Sequence, residues 1–98
     1  MRILPEPIIF EWNTGNIDKN LIRHNVTDRE TEEAFGDRNL LLSEDTKHSQ
    51  REFRFHALGL TQQRKLLFLS FTIRGDKLRI ISARNANRKE RKIYEEKS

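Results

Sequence analysis

The chain is 98 residues long, room for one domain and too little for two independent cores. Hydrophobic and charged residues each make up 35%, so the core is thin and leans on six Phe and one Trp. With no cysteine there is neither a disulfide framework nor a thiolate metal site, and the longest apolar run, residues 66–73, is too short to span a bilayer. The N-terminus carries no apolar stretch of the kind that directs export, so a soluble, cytoplasmic protein with no membrane contact is expected.

Pro5 and Pro7 lead into residues 8–12, where Ile8, Phe10 and Trp12 recur with period two and predict a strand. Asn13-Thr-Gly-Asn16 breaks it. A short helix is predicted over 17–25, with Ile17, Leu21 and His24 on one side and His24 at the edge of its packing face. Thr27-Asp-Arg-Glu30 then forms a capping box, opening a helix that runs to Phe35, where Gly36 offers a left-handed stop. Beyond Asp37 the pattern turns to strands. A short piece covers 39–43, and 53–60 alternates Phe53, Phe55 and Ala57 against Arg54, His56 and Leu58. Residues 65–73 are nearly all apolar and predict a central strand covered on both faces. Gly75-Asp76 reads as a two-residue hairpin turn, completed by a strand over 78–84. Asn87-Arg-Lys-Glu90 caps a last surface helix reaching about residue 97. The fold class is α+β: an antiparallel sheet with two N-terminal helices and one C-terminal helix, all in one domain over 1–98.

The net charge of +4 is unevenly placed. Residues 77–98 hold eight Lys or Arg against three Glu, whereas the other 76 residues hold eleven against twelve acidic ones. Such an excess suits a phosphate-binding surface, because each neutralised phosphate releases condensed counterions. It equally suits a solvated terminal helix rich in cations.

Glu52, Arg54 and His56 alternate and so leave one face of a strand. Together they can move protons and hold a phosphate, or they are ordinary solvent-facing residues of a half-exposed sheet. Arg79 and Arg84 are five positions apart, so an unbroken strand sends them to opposite faces; a bend near Ser82–Ala83 relaxes that restriction. A planar guanidinium fork suits a phosphodiester, and Arg84, ending its strand before a basic helix, is the better ligand candidate. His24, His48 and His56 show no metal-ligand spacing, so neither a metal nor another cofactor is expected. His48, among polar neighbours, is a proton donor or a turn residue. Tyr94 either stacks on a base or anchors the last helix beside Ile93.

Taken in order, Phe10-Glu-Trp-Asn13, Gly15-Asn-Ile-Asp-Lys-Asn20, Arg23-His24-Asn-Val26 and Glu32-Glu-Ala-Phe35 form a recognisable series. It continues as Asp45-x-x-His48-Ser49, Glu52-x-Arg54, Ala57-Leu-Gly59, Leu67-Phe-x-x-Phe-Thr72, Arg79-Ile-Ile-Ser-Ala-Arg84 and Glu90-Arg-x-x-Tyr94. This series resembles the BrnT family of type II toxins over about residues 9–96. The resemblance implies a RelE-like fold and a ribonuclease that blocks translation without a metal. It also implies a BrnA-like ribbon–helix–helix antitoxin, through which alone the toxin reaches operator DNA.

By the same resemblance, the RNA 2′-hydroxyl attacks its own phosphorus, on ribosome-bound mRNA or free RNA. Arg84 and Arg54 are then the catalytic cations, and His48, Glu52 and Tyr94 the candidates for proton transfer. Lys65, Arg79, Arg88, Lys89, Arg91 and Lys92 are the RNA-contact candidates. Two departures bear on activity. The Asp that usually follows the Trp is Asn13, and the usual Gly-Arg before the long apolar strand reads Arg64-Lys65. The competing reading is a non-catalytic module that docks nucleic acid or an antitoxin on the same surface. The resulting picture is a cleft with the segment from Arg79 to Tyr94 as one wall and Glu52, Arg54 and His56 as the other.

Overall fold

A computed structural model describes residues 4–48 and 52–97, the side chain of His48 excepted. The elements in chain order are β1 (Ile9–Glu11), α1 (Lys19–His24), α2 (Asp28–Phe35), β2 (Leu41–Glu44), β3 (Arg54–Leu60), β4 (Leu66–Arg74), β5 (Lys77–Asn85) and α3 (Arg88–Lys97). They build an α+β fold on one five-stranded sheet in the order β1-β5-β4-β3-β2. The strands β2 to β5 pair antiparallel as expected, while β1 joins the β5 edge in parallel, making the sheet mixed. The Gly75-Asp76 hairpin is present, with Gly75 at φ 62°.

One sheet face carries Phe55, Ala57, Leu67, Leu69, Phe71, Leu78, Ile80 and Ala83 against Val26, Ala34 and Phe35 of the helical layer. An aromatic chain runs through this core, Phe10 to Phe35 to Phe71 to Phe55, with centroids 5.2–5.6 Å apart at each step. The helix α2 lies so close to β3 that a Cβ on Gly59 would stand 2.4 Å from the Ala34 carbonyl oxygen, so the position requires glycine. The opposite face is covered at one end by α3, whose Tyr94 packs on Leu58 and Leu66.

The capping box of α2 forms in full: Thr27 Oγ1 accepts from the Glu30 amide at 3.0 Å, and Glu30 Oε1 accepts from the Thr27 amide at 2.9 Å. Asn87 and Glu90 repeat the arrangement at α3, with reciprocal bonds of 2.8 and 2.9 Å. Gly36 departs from expectation. Its φ of −86° is right-handed, and α2 ends by tightening, with the Gly36 and Asp37 amides donating to Glu33 and Ala34.

The inner side of α1 is also not the apolar one. Ile17, Leu21 and Ile22 are 49%, 42% and 85% exposed and His24 is exposed, whereas Asn16 and Asn20 are buried. The cause lies in β5. Beyond Arg79 the strand has no β1 partner, so its edge groups need hydrogen bonds from elsewhere. Asn16 Nδ2 donates to the Ile80 carbonyl at 3.2 Å and to the Glu11 carbonyl at 2.9 Å. Asn20 Oδ1 accepts from the Ala83 amide at 2.9 Å. The two asparagines thus stand in for a missing strand.

Candidate active site

The ladder between β4 and β5 contains a bulge. Ser70 lies opposite Ser82 and Phe71 opposite Ile80, leaving Ile81 as an inserted residue. An extra residue shifts the alternation by one. Arg79 therefore faces Thr72, Arg84 faces Phe68, and both project from the same side of the sheet. This overturns the expected separation of the two arginines.

Register carries the arrangement across β3 as well. Arg54, Thr72 and Arg79 form one cross-strand row, His56, Ser70 and Ser82 a second, and Leu58, Phe68 and Arg84 a third. The open face is thus a trough, with Ser70 and Ser82 on its floor, Thr72 buried and its hydroxyl donating to the Phe53 carbonyl, and guanidinium groups toward both ends. Its rim is α3, where Arg88, Lys89, Arg91 and Lys92 are all exposed.

Arg84 is held in place. Its guanidinium lies 4.3 Å above the Phe68 ring centroid, and its Nη1 and Nη2 each bond a Glu90 carboxylate oxygen at 2.8 Å. Nη1 also donates to the Asn85 carbonyl at 3.2 Å. Three of the five N–H groups are thereby used. The Nε–H and the outer Nη2–H, side by side on the remaining edge, have no acceptor among the described residues. The side chain is 35% exposed, so that fork is open to a ligand. Burial on its own would raise Glu90; the Arg84 bonds, the Asn87 amide and the charges of Arg84 and His56 outweigh it and hold its pKa below the usual carboxylate range. The Glu90 hydrogen bond holds Arg84 above its ordinary value against the opposing effect of burial.

His56 lies beside this pair, its ring 4.7 Å from Phe68. Its Nε2 is 3.0 Å from Asp45 Oδ2, and the buried Asp45 is itself anchored by its amide donating to the Arg54 carbonyl at 2.8 Å. A carboxylate on Nε2 orients the ring and, whenever the ring is neutral, favours the tautomer with its proton there and a lone pair on Nδ1.

Other sequence candidates fall elsewhere. Glu52 precedes β3 and pairs with Arg74 at 3.4 Å, at the hairpin end of the sheet and not beside Arg84. Tyr94 is buried, and its hydroxyl donates to Asp37 Oδ2 at 2.5 Å. Lys65 turns to the helical layer, where Nζ bonds the Asn25 carbonyl at 3.1 Å and Glu30 at 3.2 Å. Arg79 stands in the trough but is tied to Glu11 and Asn13, each at 3.2 Å. The side chain of His48 lies outside the described residues; its backbone closes a 3-10 turn, Thr46–His48, just after Asp45. Sequence reasoning missed Asp45 and Glu90 as partners in the site. The legible signal was the shared parity of His56 and Arg54; Glu90 showed only as a helix cap.

A family model described as "Ribonuclease toxin, BrnT, of type II toxin-antitoxin system" matches residues 12–90. The chain belongs to the BrnT family. Membership makes RNA the substrate class and an antitoxin the partner. No individually curated protein matches the chain. The matched segment of this BrnT chain contains the whole constellation, from Asp45 and His56 through Arg84 to Glu90. Asn13 and Arg64, singled out in the sequence, each have a visible physical role. Asn13 keeps the acceptor that an aspartate would offer, its Oδ1 receiving Arg79 and the Gly15 amide. Arg64 sits at φ 67°, in the left-handed region that glycine adopts without strain. Among the described residues no helix is long and apolar enough to cross a membrane.

Proposed function

We propose that this BrnT-family chain cleaves RNA on the open sheet face by metal-independent transesterification, with Arg84 gripping the scissile phosphate. The observation that carries this reading is the uncommitted Nε–H and Nη2–H edge of Arg84, held rigid by Phe68, Glu90 and Asn85. A preorganised fork stabilises the charge that grows on the phosphoryl oxygens, at no reorganisation cost during reaction. His56 takes the 2′-hydroxyl proton on Nδ1. The 2′-oxygen then bonds to phosphorus as the P–O5′ bond breaks, giving a 2′,3′-cyclic phosphate and a protonated 5′-hydroxyl.

His48, three residues after Asp45 in sequence, is proposed as the donor to the leaving oxygen. Arg54 and Arg79 guide the neighbouring backbone, and Arg88, Lys89, Arg91 and Lys92 supply salt-sensitive attraction. Tyr94 and Lys65 are assigned to packing and Glu52 to its ion pair. At the level of the cell, the chain acts as a RelE-like inhibitor of translation neutralised by a BrnA-like ribbon–helix–helix antitoxin, which alone contacts operator DNA.

Purified protein incubated with a short RNA in the presence of a metal chelator is expected to release fragments ending in 2′,3′-cyclic phosphate and 5′-hydroxyl. Intact RNA, alone and with translating ribosomes, defeats the enzymatic reading. The exposed cations of α3 favour a second reading, a docking module without catalysis, which predicts RNA binding with steep salt dependence and no fragments.

A further inference from the structure

Between α3 and the β2–β3 pair lies a cleft of about 260 Å³. Leu41, Leu58 and Ile93 form apolar walls, and Ile93 is one of the few large apolar side chains left exposed. Two further lining residues, Phe68 and Glu90, are the same two that hold Arg84. The cleft therefore adjoins the two side chains that hold that arginine, although Arg84 itself does not line it. Ser43 and His56 add a hydroxyl and a ring nitrogen at the lining, and Lys97 adds a cation.

We infer that this cleft is a nucleobase subsite, receiving one unpaired base of the nucleotide whose phosphate rests on Arg84. The inference rests on the phosphate-binding reading of Arg84 and adds to it where the base goes. The volume is below the roughly 300–1,000 Å³ of pockets that enclose a whole drug-sized ligand, and so fits one ring system and not a nucleotide. The lining is mostly apolar and its charged groups, Glu90 and Lys97, are of opposite sign, which suits a flat heterocycle with donor and acceptor edges. Glu90 and Ser43 face such a base as acceptors for its N–H edges, the way single-stranded RNA is read once a base is splayed from its stack.

The test uses the full chain with labelled Leu and Ile methyl groups, observed by NMR during titration with each of the four nucleoside 5′-monophosphates, ribose 5-phosphate and inorganic phosphate. At least one nucleotide is expected to shift the Leu41, Leu58 and Ile93 methyls saturably and to bind about tenfold tighter than ribose 5-phosphate, which moves only the Arg84 Nε–H signal. Ser43→Trp, at an exposed position on the outermost strand, is expected to fill the cleft and reduce nucleotide affinity to that of ribose 5-phosphate. Nucleotides that shift Arg84 but leave all three methyls silent overturn the subsite, leave the phosphate reading standing, and assign the cleft to an apolar side chain of a protein partner. If no compound shifts Arg84 or the methyls, the phosphate reading falls as well.

Discussion

Arg64 spends free energy on its backbone. At φ 67° a side chain with a Cβ costs roughly 1–2 kcal/mol against glycine. Its amide donates to the Thr61 carbonyl at 2.9 Å, which fixes the tight turn between β3 and β4 and leaves little freedom to relax. Arg64→Gly is therefore expected to raise the urea midpoint, by a stability gain of about 1 kcal/mol once the greater entropy of the unfolded glycine is set against it. An unchanged or lower midpoint would show that contacts of the Arg64 side chain outweigh the strain. Tyr94→Phe tests a different assignment at the same scale. Losing the bond to Asp37 should cost about 1.5–3 kcal/mol, since the acceptor is charged, while cleavage per folded molecule stays at the wild-type level. A fall in that specific activity would return Tyr94 to the catalytic set.

At the scale of elements, the bulge in β5 decides which way Arg84 points, and Asn20 satisfies the amide of the residue just before it. Asn20→Leu leaves the Ala83 amide buried without a partner, a cost of about 1–3 kcal/mol. It should also lower cleavage beyond the loss of folded protein, because Arg84 is no longer held to the trough side. Reduced stability with unchanged cleavage per folded molecule would separate the bulge from the site.

The same element shows where the sequence was legible and where it was not. Period-two patterns located β1 and β3, an apolar run located β4, the Gly75-Asp76 turn located β5, and Thr27 with Glu30 announced the start of α2, because each depends on neighbours in the chain. The bulge is flanked by backbone bonds to Asn16 and Asn20, more than sixty residues away from their β5 partners, so no local pattern could reveal it. For that reason Ile17 and Leu21 read as an inner face they do not form, and Arg79 and Arg84 read as opposed. Arg84 and His56 were visible as chemistry, whereas the pairings with Glu90 and Asp45 needed the tertiary fold.

For the molecule as a whole, three carboxylates tie separate layers together. Asp37 joins α2 to α3 through Tyr94, Glu30 meets Lys65 from the β3–β4 turn, and Glu90 holds Arg84 of β5. Burial would raise Asp37; the Tyr94 hydroxyl, the Asn39 and Leu60 amides and the charge of Arg64 outweigh it, and its pKa lies below the ordinary value. Glu30 is lowered chiefly by the Thr27 amide, with Lys65 adding to it against the effect of burial. Groups depressed in the folded state stabilise fully above their unfolded values, near pH 4, and lose that contribution as pH falls through the folded ones. The urea midpoint is accordingly expected to hold between pH 7 and about pH 5 and to drop below about pH 4. Asp37→Asn should drop less over the acid range, and an identical drop would remove Asp37 from the linkage.

The open sheet face as the place where RNA is cut is tested most directly by single-turnover cleavage of a short RNA by Arg84→Lys, with circular dichroism confirming the fold. Lysine keeps a cation for Glu90 but lacks the two-pronged edge, so cleavage should fall about 100- to 1,000-fold while the fold is retained. Cleavage by Arg84→Lys at the wild-type rate would contradict the assignment of Arg84 as the phosphate clamp.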